Sequence, residues 1–404
     1  MKTLRLTNEY EYEVAADILR SGGLVAVPTE TVYGLAGNGL DPDAVQKIYD
    51  VKGRPAVKPL SLMVPGAQAM ETCCVEIPPA AFALAERFWP GPLTIVLKAK
   101  DSIPEIVRAG GKTVGLRCPD HTATLQILQN AGIPFAAPSA NPSGAESPKT
   151  AEAVLRYFDG MIDAVVDGGP CGFGKESTIV DLSSVPFRIL RQGALPENEV
   201  WNALADEMFV IGITGGTGCG KTTALNVLAE MGALVLDGDE IYHELLRSDE
   251  ELLREISLRF PGVVTDGVLD RKLLGNVVFR DPDALADLNA ITHPFVLRVI
   301  DDRLRDWARQ GGSLAAIDAI ALIESGVGQR CDRIIGITAP RSERIRRIMT
   351  REGIPEEYAA ARVDAQKPDA WFAEHCDCII DNRGTLEEFE TLCRKNIGEV
   401  VNNE

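Results

Sequence analysis

The chain of 404 residues has no stretch of about 18 uncharged apolar residues, the length a helix needs to cross a bilayer. Its opening, MKTLRLTNEYEYEV, has no apolar run of the kind that marks a secretory leader, so a cytoplasmic, unanchored protein is expected. Its nine cysteines, Cys73, Cys74, Cys118, Cys171, Cys219, Cys331, Cys376, Cys378 and Cys393, form no CxxC pair and no repeated metal spacing. That usage fits a reducing compartment. Positive charge is in short supply: 41 Lys and Arg face 59 Asp and Glu, for a net charge of −18. A general electrostatic grip on nucleic acid or on an anionic membrane is thereby excluded, and direct RNA binding is expected to be weak or absent. Any polyanionic ligand must be held by a local cluster of donors. Internal repeats and low-complexity tracts are also missing.

What is present suits two domains of roughly 200 residues each, with the boundary near residue 207. In residues 1–207, the helical pattern EVAADILRSGG stops at Gly22 and Gly23 and is followed by an apolar run, LVAVPTETVYGLA, read as a strand. Further strand-like runs are LTIVLKA, TVGLRC, PFAAPSAN and STIVDL. Strands and helices without regular alternation predict an α+β domain around a twisted sheet. From Met208 the rhythm becomes strand, glycine loop, helix, strand, and the later apolar runs SLAAIDAIAL, RIIGIT and CDCIID predict a doubly wound parallel sheet over 208–404.

The glycine loop Gly215-Gly216-Thr217-Gly218-Cys219-Gly220-Lys221-Thr222 fits GxxxxGK[ST], a strand-to-helix turn whose backbone N–H groups surround phosphate oxygens. Lys221 would reach the outer phosphates and the Thr222 hydroxyl would hold Mg²⁺. Such a loop identifies a nucleotide site without choosing among kinase, GTPase and motor. After the next strand, Asp237 and Asp239 place two carboxylates near the loop, where one could take the proton of an acceptor hydroxyl or cap a helix. Arg344, Arg347 and Arg351 in RSERIRRIMTR share one helical face, as either a solvated surface or a phosphate-covering lid. No NKxD guanine motif accompanies them.

GITGGTGCGKTT, VLDGDEIYHELL, NAITHPFV, RIRRIMTREG, ARVDAQ and CDCIIDN stand in the order and spacing of dephospho-CoA kinase, which residues 208–400 therefore resemble. The resemblance implies phosphorylation of the ribose 3′-hydroxyl of dephospho-CoA by ATP. It places Gly215, Gly218, Cys219, Gly220, Lys221, Thr222 and Thr223 at ATP, Asp239 at the acceptor hydroxyl and Arg347 in the lid. His293 lies in a THP turn where the family has a histidine before a proline. Phe372 is a departure, standing near a place commonly basic in that family.

The first half has no GxxxxGK, HExxH or GxSxG. Its densest chemistry is Lys52-Gly53-Arg54-Pro55-Ala56-Val57-Lys58, three cations in seven residues, which reads as a local anion site or an exposed basic turn. PTETVYGL and PSANPSG set hydroxyls, an amide and a carboxylate after apolar runs, as a polar-ligand pocket or ordinary turns would. With KGRPAVKPL, FWPGPLTIVL, VGLRCPDH, ESTIVDL and RILRQGAL, they resemble the YrdC-type threonylcarbamoyl-AMP synthases over about residues 5 to 200.

This second resemblance implies condensation of L-threonine, bicarbonate and ATP with release of pyrophosphate. Separate tRNA-modifying transferase proteins would then act on adenosine 37 of tRNA. By position, Arg54, Lys58, Thr113, Ser139, Asn141, Ser147 and Arg191 would meet ATP, with Lys52 and Arg54 in the catalytic centre. Thr31, Arg117, Ala137 and Ser177 would meet threonine, Arg117 pairing with its carboxylate. Met63 departs from members with histidine there. The expected whole is a bifunctional enzyme using ATP in both halves, Mg²⁺ in the kinase, and no membrane partner. Rival readings make the first half an RNA- or nucleotide-binding module, the second another small-molecule kinase, or one half inactive and retained for assembly.

Overall fold

The computed structural model describes residues 2–278, 280–319, 322–323 and 326–402. Two compact units divide in sequence between Asp206 and Glu207, apart from the turn Arg309–Gly311.

The first unit is a mixed sheet with helices. Its strands are β1 (Leu4–Leu6), β2 (Val25–Val27), β3 (Gly34–Asn38), β4 (Ser61–Met63), β5 (Leu93–Lys98), β6 (Thr113–Arg117), β7 (Phe135–Ala136), β8 (Ala164–Val166), β9 (Thr178–Asp181) and β10 (Arg188–Arg191). They lie in the order β1-β8-β2-β3-β7-β4-β6-β5-β9-β10, with parallel and antiparallel pairs interspersed. Successive side chains of a strand point to opposite faces. Leu62, Ile95, Leu97, Val114 and Leu116 are therefore buried while Ser61, Met63, Thr94, Val96, Thr113, Gly115 and Arg117 turn to the other face and floor a cavity.

Two strand expectations are corrected. LVAVPTETVYGLA is not one strand, because after β2 the Thr29 side chain accepts from the Thr31 and Val32 amides at 3.1 and 3.2 Å and curls the chain into a turn before β3. That local bond competes with ladder pairing. PFAAPSAN contributes only the two residues of β7, after which the chain leaves the sheet as a turn.

The second unit is built on β11 (Phe209–Gly215), β12 (Leu234–Asp237), β15 (Leu314–Asp318), β16 (Arg333–Thr338) and β17 (Cys378–Asp381), with a small hairpin of β13 (Val264–Thr265) and β14 (Val268–Leu269). The main sheet runs β12-β15-β11-β16-β17 and all its pairs are parallel. Its core is Ile211, Ile213, Val227, Leu228, Ile335, Ile337 and Ile380, packed with Phe389 and Ile397 of the helix Leu386–Asn402. Only Leu314–Asp318 of the run SLAAIDAIAL is strand, and residues 320 and 321 lie outside the described residues. The sequence THP is not a turn: Pro294 sits inside the helix Pro282–Arg309. A proline there removes one i→i−4 bond, a cost of about 3 kcal/mol that the burial of Leu288, Val296, Ile300 and Leu304 along the same helix offsets.

Gly193 is required by close packing next to the cavity. A Cβ there would lie 2.2 Å from the Ser177 carbonyl carbon and 2.3 Å from the Glu176 oxygen, both backbone atoms that cannot swing aside. Gly193→Ala is expected to cost about 2 kcal/mol or more of first-unit stability. Denaturant midpoints of the two proteins measure this, and an unchanged midpoint would refute the steric reading.

Candidate functional site

In the first unit, segments far apart in sequence meet around a cavity of about 280 Å³. Of the residues singled out by sequence, Arg54, Thr113, Arg117, Ala137, Ser139, Ser177 and Arg191 line it, as does the departure Met63. Gly115 keeps the floor low, since a Cβ would touch the Thr94 methyl at 3.1 Å and the Ser61 Cβ at 3.4 Å.

The guanidiniums are aimed by backbone carbonyls. Arg54 donates to the Pro59 oxygen at 2.8 Å and the Lys58 oxygen at 3.2 Å. Arg191 donates twice to the Ser177 oxygen, at 2.8 and 3.1 Å, and to the Ser177 hydroxyl at 3.2 Å. The Ser177 hydroxyl also pairs with that of Thr94 at 2.8 Å. Burial lowers both arginines from their ordinary values, so an anion in the cavity would stabilise their charged forms.

Arg117 differs, because its Nη2 donates to the Glu30 carboxylate at 2.7 Å and to the Thr31 hydroxyl at 2.8 Å, while its Nε donates to the Gly91 oxygen at 3.2 Å. Both members of this ion pair are nearly buried. Thr31 itself does not line the cavity and reaches it through Arg117. Glu30 was visible in sequence only as the carboxylate of PTET; its role follows from the turn that sets it opposite Arg117. Glu176, which sequence reasoning passed over, also lines the cavity and accepts the Ser147 hydroxyl at 2.6 Å, a bond that holds its carboxyl below the usual range.

Lys58 is exposed and Ser147 stands behind Glu176, so neither lines the cavity. Asn141 is buried, its amide donating to the oxygens of Pro142 (2.9 Å) and Ala145 (2.8 Å), with Oδ1 unpartnered. Lys52 points inward: its ammonium donates to the carbonyls of Ser139 and Asn141 and ties the KGR segment to the PSAN turn.

In the second unit, the P-loop leaves β11 and enters the helix Lys221–Glu230, with φ of 143°, 83° and 109° at Gly215, Gly218 and Gly220. These angles favour glycine. Cys219 is buried in the core, leaving its backbone to the loop. Thr222 is exposed and Thr223 half-buried on the first helical turn. The loop is gripped by later segments: Arg344 donates to the Thr217 oxygen at 3.1 Å, Arg347 to the Gly218 and Cys219 oxygens at 3.2 and 3.4 Å, and Asn382 to the Cys219 oxygen at 2.8 Å. Gln366 holds the Thr217 amide at 2.9 Å and its hydroxyl at 2.8 Å. Arg351 does not share this role; it is exposed and paired with Glu352 at 2.6 Å. Phe372 is buried edge-on to Trp371, a packing residue.

The two carboxylates of VLDGD separate in function. Asp237 caps the helix Gly238–Ser248, accepting from the Asp239 and Glu240 amides at 2.9 Å each. Asp239, on the first turn, lines a second cavity of about 580 Å³ together with His293. Burial lowers the His293 pKa from its ordinary value, favouring the neutral ring.

A third carboxylate, Asp318, ends β15 beside β11 and β12 and was missed within the apolar run SLAAID. It lies 3.4 Å from the Lys221 ammonium, yet its buried Oδ1 has no hydrogen bond. Burial raises its pKa, and Lys221 draws it back. This donor set fits Mg²⁺: the Thr222 hydroxyl and the Asp318 carboxylate would hold the ion, which would supply charge neutralisation between phosphate oxygens. Among the described residues no group of three His, Cys, Asp or Glu side chains is placed to hold a metal.

The inward placement of Lys52 has a pH signature. Burial first, and Arg54 second, lower its pKa to about 7, below the ordinary lysine value of the unfolded chain. Between those values the native state binds fewer protons at Lys52 than the unfolded one, so Lys52 is expected to add a rise in first-unit stability from about pH 7 to about 9, above which the buried thiols Cys74 and Cys118, pushed up to about 12 and about 11, oppose it. Denaturation midpoints across this range should show the rise in the wild type and its loss in Lys52→Met; a rise of equal size in the variant would rule Lys52 out as its source.

Comparison with known proteins follows the same division. The Sua5/YciO/YrdC family model, described as telomere recombination, matches residues 17–193, and the CoaE model, described as dephospho-CoA kinase, matches residues 209–388. The threonylcarbamoyl-AMP synthases of Pyrococcus abyssi and Bacillus subtilis are each 43% identical to this chain, over 198 and 195 residues. The alignments cover 49% and 48% of this chain and 58% and 56% of those proteins, so the chain spans little more than half the length of either synthase. The dephospho-CoA kinase of Geobacter sulfurreducens is 37% identical over 185 residues, which is 45% of this chain and 94% of that kinase. A segment matched by the Sua5/YciO/YrdC model is thus joined to a second half that aligns with a kinase over nearly its whole length, and through residues 209–388 the chain belongs to the dephospho-CoA kinase family.

Proposed function

We propose that the chain is a bifunctional enzyme: an L-threonylcarbamoyladenylate synthase in its first half and a dephospho-CoA kinase in its second, acting in the cytoplasm. The convergence of Arg54, Arg117 and Arg191 on one cavity carries the first assignment. Arg54 and Arg191, with Thr113 and Ser139, would take the triphosphate of ATP. Arg117, held by Glu30 and Thr31, would take the carboxylate of L-threonine. The threonine amine would add to bicarbonate-derived CO₂, and the resulting carbamate oxygen would attack the α-phosphorus, expelling pyrophosphate. The adenylate would pass to tRNA-modifying proteins, without tight tRNA binding by this acidic chain. Pyrophosphate release should require ATP, L-threonine and bicarbonate together, and Arg117→Ala should raise the KM for threonine on the order of 100-fold with the KM for ATP little changed. Release that is indifferent to threonine would end this reading.

For the second half, the carrying observation is the meeting of Lys221 with Asp318 at the carboxyl end of β15, with Asp239, on the first turn of the helix Gly238–Ser248, close enough to act on the Asp318 carboxyl. Asp239 would accept the 3′-hydroxyl proton of dephospho-CoA as that oxygen attacks the γ-phosphorus of ATP, while Lys221 and Arg347 neutralise the transferring group. Asp239→Asn is expected to lower kcat at least on the order of 100-fold while ATP affinity is kept. Turnover equal to wild type would remove Asp239 from the mechanism.

A further inference from the structure

The acceptor cavity contains a cation that neither motif reading used. Its walls are largely apolar, with Leu246, Leu274, Leu288 and Val296 among them, and Arg271 is the one Lys or Arg among its described lining residues. Arg271 opens the helix Arg271–Val278. The neighbouring Asp270 forms no ion pair with it; its Oδ1 turns to the helix and accepts the amides of Lys272 and Leu273 at 3.0 and 2.9 Å. Nη2 of Arg271 lies instead against the imidazole of His243, 2.6 Å from Nδ1 and 3.3 Å from Nε2. Contact with an imidazole in place of a carboxylate orients the guanidinium and leaves its positive charge uncancelled.

The spacing gives this charge a ligand. His243 follows Asp239 by four residues on the helix Gly238–Ser248, so the two share one face about 6 Å apart, and both line the cavity. An acceptor whose hydroxyl is at Asp239 therefore meets a fixed positive charge roughly one helical turn away. On a ribose that reacts through its 3′-oxygen, the group at this remove is the 5′-phosphate, and the remaining apolar volume suits an uncharged arm beyond it.

Resting on the kinase reading above, we propose that Arg271, oriented by His243, is the specificity-determining residue that binds the 5′-diphosphate of the acceptor nucleotide. It selects a nucleoside diphosphate ester over the bare nucleoside and takes no part in the transfer itself.

The test is steady-state kinetics of the full chain with dephospho-CoA and with adenosine, which offers the same ribose without a diphosphate, for wild type, Arg271→Gln and Arg271→Lys. Arg271→Gln is expected to raise the KM for dephospho-CoA about 10- to 100-fold, with the KM for ATP and kcat/KM for adenosine unchanged; Arg271→Lys should recover part of the loss. Calorimetric titration with dephospho-CoA should show the same weakening independently of turnover. An unchanged KM and affinity for dephospho-CoA in Arg271→Gln, or equal losses with both acceptors, would overturn the assignment while leaving the kinase reading standing. A wild-type chain that phosphorylates neither acceptor would overturn the kinase reading and the assignment with it.

Discussion

Cations meant for a ligand must be kept from pairing with the chain's own acids, and this constraint governs both candidate sites. With a net charge of −18, nearby carboxylates are the default partners of any lysine or arginine. The structure repeatedly uses backbone oxygens in their place: Arg54 on Lys58 and Pro59, Arg191 on Ser177, Arg344 on Thr217, and Arg347 on Gly218 and Cys219. A carbonyl fixes the direction of a donor without cancelling its charge. The side chain is ordered in advance, which lowers the entropy lost when a phosphate arrives.

Two cations break this pattern. Arg117 is held by Glu30 inside the protein, where leaving either partner alone would cost about 3 kcal/mol or more. Lys221 stands near Asp318 at a distance too long for a firm hydrogen bond, a pair that a divalent cation and phosphates would rearrange. On the proposed reading the two units would meet a triphosphate by different means. The first sets guanidiniums over one face of a mixed sheet, whereas the second offers the amides of a glycine loop at the carboxyl edge of a parallel one.

Much of this was legible where residue type alone imposes the geometry. GGTGCGKT between an apolar run and a helical pattern specified β11, the loop and the helix after it, because the glycine angles and the lysine leave few alternatives. The mixed sheet and the parallel sheet followed from the spacing of the apolar runs. What stayed hidden depended on long-range partners. Nothing local shows that Lys52 turns inward while Arg54, two residues on, faces the cavity; the PSAN carbonyls decide it. Asp318 was masked because an acid closing an apolar run looks like a strand end until β11 places Lys221 beside it. THP read as a turn because proline usually breaks helices, and tertiary burial along Pro282–Arg309 overrode that preference. Arg351 shares the spacing of Arg344 and Arg347 but lies too near the end of its helix, which stops at Glu352, to reach the loop.

Gly216 carries a consequence that reaches beyond phosphate. A Cβ at this position would come within 2.0 Å of the Arg344 guanidinium, and its φ is not among the positive ones. The missing side chain therefore makes room for an arginine from a distant helix, and the two residues behave as a single steric unit. Bulk gained at 216 has to push the guanidinium off its bonds to Thr217 and Gln366, so a change at one position is felt in a segment that no local motif joins to it.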